Sequence, residues 1–180
     1  MLAIVLLSRS TGLAQLPNRE GVGLEGFRNL PWGISIGQAR TACPDLEFAR
    51  YVLANARKEP WKAYVRRSEN REIEGVTFDS IEYRFKQGRF LQVQAVLRSR
   101  VGPRTLTTRA ENSFDRIVGR MTGRYGKPSG REIGYVSEFL VVVKKATWIV
   151  DHTSVTIRYE GTGSTDEDLL TMTMQDRTGD

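Results

Sequence analysis

His152 is the only histidine of the chain, and it shares the stretch VDHTS with Asp151 and Ser154. A carboxylate, an imidazole and a hydroxyl are the parts of a nucleophilic triad, where the base draws the nucleophile's proton and the acid orients the ring. Such triads are recognised by geometry, with the ring held between its two partners. Neighbours on one tight turn do not meet that requirement, so His152 is expected to be a solvent-exposed turn residue. A second candidate is the acidic end of EGTGSTDED, with Asp166, Glu167 and Asp168. These carboxylates suit weak Ca²⁺ binding, but an EF-hand loop alternates its acids and closes on a glutamate. The segment also lacks the lysine of a phosphate loop. A mobile acidic loop is the expectation. Cys43 is the single cysteine, which excludes an intrachain disulfide and a cysteine metal pair. Its place in a short apolar helix predicts a buried, unreactive thiol. No nucleophile elbow or His-x-x-x-His pair is present, so no catalytic residue, metal ligand or cofactor is assigned.

Binding chemistry is better represented. In SIEYRFKQGRFLQVQAVL, residues 80–97, Ile81, Tyr83 and Phe85 share one face of a strand, and Glu82, Arg84 and Lys86 share the other. A two-residue turn at Gln87-Gly88 would set Phe85 against Phe90 and Tyr83 against Gln92. A three-residue loop, Lys86-Gln87-Gly88, sets Tyr83 against Leu91 and Ile81 against Val93, and is the predicted turn because it keeps apolar with apolar. The stretch SVTIRYEGTGSTDEDLLTMTM, residues 154–174, follows the same alternation. Val155, Ile157 and Tyr159 are expected to meet Leu170, Met172 and Met174. The face turned away then carries Arg84, Gln92, Gln94, Thr156, Arg158, Thr171 and Thr173. Such a face is either an ordinary wet side of an antiparallel sheet or a polar platform rich in hydrogen-bond donors. Trp61, with Tyr64 and Arg66 in WKAYVRR, either lines a ligand surface or is a half-buried strand residue.

The elements that must position these residues follow from caps and periods. Ser35 and Gln38 form a capping box for a helix over 36–43, which Pro44 stops. Thr108 and Glu111 form a second, and Ala110, Phe114, Ile117, Val118, Met121 and Tyr125 recur at helical spacing up to Gly126 and Pro128. Trp32 is expected to pack beneath the first helix, and Trp148 to point to the core. Strands are predicted at 61–67, across REIEGVTFD, and at 136–143, 146–150, 154–160 and 169–175. Ser35 and Thr108 are separated by nearly the same offset as Tyr83 and Ile157. The predicted fold is therefore a two-layer α+β domain, with helices packed on one face of a mainly antiparallel sheet and two pseudo-repeats over 27–100 and 101–180.

FRNLPWGISIGQARTACPDL, IEYRFKQGRF and RYGKP resemble a loose group of uncharacterised bacterial exported domains with an aromatic, a Trp-Gly pair, a capped helix and a Tyr-x-Phe-x-x-Gly hairpin. The architecture is similar to the tandem repeats of the β-lactamase inhibitor protein family and of the smaller outer-membrane assembly lipoproteins. The resemblance spans much of 27–160 and implies a fold and an exported setting, with no catalytic residue carried over. The lipoprotein group's lipobox cysteine has no counterpart here.

The 180 residues are 39% hydrophobic and 27% charged, with a net charge of +6, enough apolar content for a core. Twenty-one of the 27 bases are arginine, scattered without a run of five. Nucleic acid is suggested only by this charge, and export argues against it. Residues 1–14, MLAIVLLSRSTGLA, read as a signal peptide with a truncated start, or alternatively as a buried N-terminal strand. Residues 15–26 read as a flexible arm and 27–180 as one domain. No later run approaches the ~18 apolar residues of a membrane span. The expected function is a periplasmic or secreted, non-enzymatic binding or inhibitor-like module for a protein or cell-envelope partner. The alternative is a hydrolase-type enzyme with an Asp/Glu/Arg site that no motif flags.

Overall fold

Period-two alternation of apolar and polar residues builds strands with one buried face, and this chain is dominated by it. The structure, a computed structural model, describes residues 25–53, 60–100, 108–136, 141–161 and 167–178. In chain order they form β1 (Gly26–Phe27), β2 (Leu30–Pro31), α1 (Ile36–Ala42), β3 (Leu46–Val52), β4 (Trp61–Arg66), β5 (Glu72–Ile73) and β6 (Val76–Thr77). Then follow β7 (Ser80–Lys86), β8 (Arg89–Arg100), α2 (Arg109–Tyr125), β9 (Gly130–Val136), β10 (Val141–Val150), β11 (Thr153–Gly161) and β12 (Glu167–Asp176). Eight strands make one antiparallel sheet in the order β3-β4-β7-β8-β12-β11-β10-β9. Pairs β1–β2 and β5–β6 are separate ribbons.

The expected two-layer α+β fold is not what forms. The described residues are mostly β, and the two helices among them are short. The reason is the covering of the apolar face. One core cluster draws Phe27 and Leu30 from the first ribbon, Ala39 from α1, Ile73 and Val76 from the second ribbon, and Phe114, Ile117 and Met121 from α2. Ribbons and loops do much of the covering assigned to a helical layer. Each half of the chain supplies one helix followed by four strands of the sheet, joined where β8 pairs with β12.

The first cap forms as read, and the second only in part, because the Glu111 side chain does not return to the Thr108 amide. Ser35 and Gln38 close a reciprocal box over α1, with Cys43 as its C-cap. Thr108 accepts from the Glu111 amide at the start of α2, while the Glu111 carboxylate takes Lys144 Nζ at 2.8 Å. The β7–β8 turn differs from the three-residue prediction. It is the two-residue turn Gln87-Gly88, both at positive φ (52° and 75°), as a type I′ hairpin requires. Phe85 faces Phe90, and the register then shifts so that Arg84 meets Gln92 and Tyr83 meets Val93. A bulge at Leu91 restores the parity that the short turn would have lost. The second hairpin pairs as expected: Val155 with Met174, Ile157 with Met172, Tyr159 with Leu170.

Several bounds move. REIEGVTFD folds into the small β5–β6 hairpin around Glu74-Gly75 rather than one interrupted strand. The predicted 136–143 strand is replaced by β9 and the start of β10, with 137–140 outside the described residues. The edge strand β3 was not foreseen. The expected signal peptide over 1–14 lies outside the described residues, as does nearly all of the arm over 15–26.

Candidate functional site

The face opposite the core is the polar one. Cross-strand registers line its residues into rows. One runs Thr147, Thr156, Thr173, Gln94, Glu82 across β10, β11, β12, β8 and β7. Beside it runs Ile149, Ser154, Gln175, Gln92, Arg84, continued by Ala63 and Arg50 on β4 and β3. On the other flank Lys145, Arg158, Thr171, Val96 and Ser80 form a third row. Every residue of the core cluster belongs to the other face or to the elements packed on it.

The rows are cross-linked by their own side chains. Arg84 donates to Glu82 at 2.9 Å, to Gln92 at 3.1 Å and to Gln94. Glu82 also receives Arg50 at 2.9 Å. Gln92 reaches Gln175 at 3.1 Å, and the Thr147 and Thr156 hydroxyls lie 3.2 Å apart. Arg158 pairs with Glu160, and Lys145 with Glu132. The carboxylates Glu82, Glu132 and Glu160 are thus each matched by a base.

The predicted binding residues divide between the two faces. Arg84, Gln92, Gln94, Thr156 and Arg158 do lie together on the polar face. Arg84, however, is only 9% exposed, because its neighbours enclose it. Trp61 joins this face at its β4 margin, where Lys86 Nζ stands 5.7 Å from its ring. Tyr64 and Arg66 do not join it. Tyr64 is buried in the core, edge-on to Phe85 at 5.2 Å and beneath Arg40. Arg66 pairs with Asp45 at 3.1 Å. Bonds from the Ser68 hydroxyl and amide, with Arg66, outweigh desolvation and hold Asp45 down to about 2.

His152 is exposed at the β10–β11 turn, and Cys43 is buried with its thiol pushed up by desolvation. Trp148 is buried and donates to Gly126 O at 3.0 Å. Trp32 stacks on Phe90 at 4.8 Å and donates to Thr153 at 3.0 Å, bridging the two halves. Asp168 corrects the end of the acidic-loop expectation, of which 162–166 lie outside the described residues. It is a buried β12 residue that accepts from Thr108 at 2.6 Å and Tyr159 at 2.8 Å. Tyr83 makes a parallel bond to Glu69, which pairs with Arg28 at 3.1 Å. Burial first, then the carboxylate bond, pushes both tyrosines well above their ordinary range. Among the described residues no cluster of His, Cys, Asp and Glu could hold a metal ion.

A concavity elsewhere was missed by sequence reasoning. A groove of about 500 Å³ separates the β5–β6 ribbon from α2, lined by Gly75, Thr77, Arg109, Ser113 and Arg116 among others. Its signal was present as arginines at 109, 116, 120 and 124, which recur on one helical stripe. Comparison with protein-family models, curated proteins and solved structures finds no match for the chain.

Proposed function

We propose that the protein is an exported, non-enzymatic binding module of inhibitor-like type, and that its polar sheet face receives a protein or cell-envelope partner. The observation that carries this reading is the set of polar rows running across five strands, with the described helices and ribbons gathered on the other side. Thr156, Thr171, Thr173, Gln94 and Arg158 present donors and acceptors on a rigid sheet, which lowers the ordering cost of association. Trp61 and Ile149 give that polar centre apolar margins. The signal-like start and the resemblance to exported domains support a periplasmic or secreted setting.

The test is site-specific photo-crosslinking of the full chain in its host, with the reactive residue at Thr173 or Thr156 and a control at Asp115 on exposed α2 surface. Discrete adducts from the sheet positions and none from Asp115 are expected. Equal yields from all three positions, or no discrete adduct from the sheet, would overturn the reading. Intact mass of the exported chain should show loss of about the first fourteen residues, as a signal peptide requires.

A further inference from the structure

Arginines at 109, 116, 120 and 124 lie seven, four and four residues apart, so all four leave α2 on one side. Opposite them stands the β5–β6 ribbon, whose turn residues Glu74 and Gly75 are both left-handed, at φ 50° and 73°. Arg109 donates to Thr77 O at 3.0 Å, and Arg116 reaches Gly75 O at 3.4 Å. Arg124 is neutralised by Glu74 at 2.6 Å, whose side chain is only 4% exposed. Arg120 lies against Gly75 so closely that a methyl added there would stand 2.6 Å from its Nη1. Glycine at 75 therefore serves two ends, the left-handed turn and the approach of a guanidinium.

The charge balance along this stripe is uneven. Among the described residues, Arg109, Arg116 and Arg120 have no ion-pair partner. Carbonyl contacts fix the Arg109 and Arg116 guanidiniums without cancelling their charge. Arg109 and Arg116 thus line one groove, with Arg120 against Gly75 at its edge, an arrangement of like charges that favours an anion. The planar fork of arginine matches the oxygens of a phosphate bidentately, and prior fixation reduces the entropy lost on binding. At about 500 Å³ the groove has room for a small ligand as well as its anionic group.

We propose that this groove is a binding site for the phosphate group of a small phosphorylated ligand, held by Arg109 and Arg116. It lies on the covered side of the sheet and is independent of the polar face. The probe is pyrophosphate, titrated into the full chain by calorimetry at low salt. Wild type should bind one equivalent, with affinity falling as salt rises. Arg116→Gln and Arg109→Gln should each weaken binding by about tenfold or more, as expected for a lost charge-assisted fork. Arg67→Gln, at an exposed arginine paired with Glu47 away from the groove and outside the polar-face set, should bind as wild type. Arg116→Lys keeps the charge and loses the fork, so its affinity should fall between wild type and Arg116→Gln even if the glutamine variant is poorly folded. No saturable binding by wild type, or equal affinity in wild type, Arg116→Lys and Arg109→Gln, would overturn the assignment.

Discussion

Each half of the molecule buries a tyrosine hydroxyl against a carboxylate, and the two halves do so differently. In the first, Tyr83 on β7 donates to Glu69, which is also paired with Arg28 of the β1–β2 turn. In the second, Tyr159 on β11 donates to Asp168 on the adjacent strand, which also accepts from Thr108, the N-cap of α2. One arrangement draws a ribbon turn to the sheet through an ion pair. The other draws a helix to it through a hydroxyl. A buried carboxylate needs several partners, and each half recruits a partner from whichever element covers it.

The strongest way to break this comparison is to empty the space beneath α2. Phe114→Ala should lower stability by about 3–5 kcal/mol, read as a shift in denaturant midpoint. A shift worth less than about 1 kcal/mol would place Phe114 on a face that yields easily. Tyr83→Phe should cost about 1–3 kcal/mol, because Glu69 keeps Arg28 but loses its hydroxyl donor. Tyr159→Phe should cost no more, since Asp168 retains Thr108.

The same two hydroxyls predict alkaline behaviour. Their folded pKa values are raised, so the folded state holds protons that the unfolded chain releases. The stabilisation is fully present below about pH 10, the ordinary tyrosine value, and is lost as pH rises beyond it. Unfolding measured across that window should steepen in wild type and flatten in Tyr83→Phe; unchanged slopes would remove the carboxylate bonds as its cause. At acid pH the sign reverses for Asp45. Its lowered pKa gives stability above about 3.8 that is lost as pH falls towards about 2.

The smallest effects sharpen the comparison on the polar face. Arg84→Ala should cost about 1–2 kcal/mol, because it leaves Gln92 and Gln94 without their shared donor. Arg158→Ala, at a side chain 51% exposed, should stay within about 0.5 kcal/mol. Equal costs would mean that enclosure by neighbours does not distinguish the two arginines.

Local signals carried far. Ser35, Thr108 and Gly126 marked the helix ends, and the alternation at 155–159 and 170–174 placed the second hairpin in its true register. The first hairpin was misread because parity admits two solutions, a longer turn or a short turn followed by a bulge. The bulge at Leu91 has no signature of its own in the pattern. The fold class was misread because Phe27, Leu30, Ile73 and Val76 sit in two-residue strands, too short to show a period. Of the proposed site, alternation placed Arg84, Gln92, Gln94, Thr156 and Arg158 on one face. The same alternation separates Trp61 from Tyr64 and Arg66, which β4 turns to the opposite face, so grouping the three as one surface overlooked a parity that the sequence carried. The arginine stripe of α2 was legible as spacing, but its meaning needed the ribbon that faces it.

The β8–β12 pairing has a kinetic consequence. Within each half, the sheet strands follow one another in order along the chain, so their contacts close modest loops. The seam joins Val93 to Met174 and Leu97 to Leu170, residues far apart in sequence. Loop closure on that scale must be completed before the contacts reward it. The two meanders are therefore expected to collapse early and the seam to zip late, as the slow phase of refolding. Substitutions at Ala95 or Met172 should then act mainly on the unfolding rate, leaving the early collapse of each half unchanged.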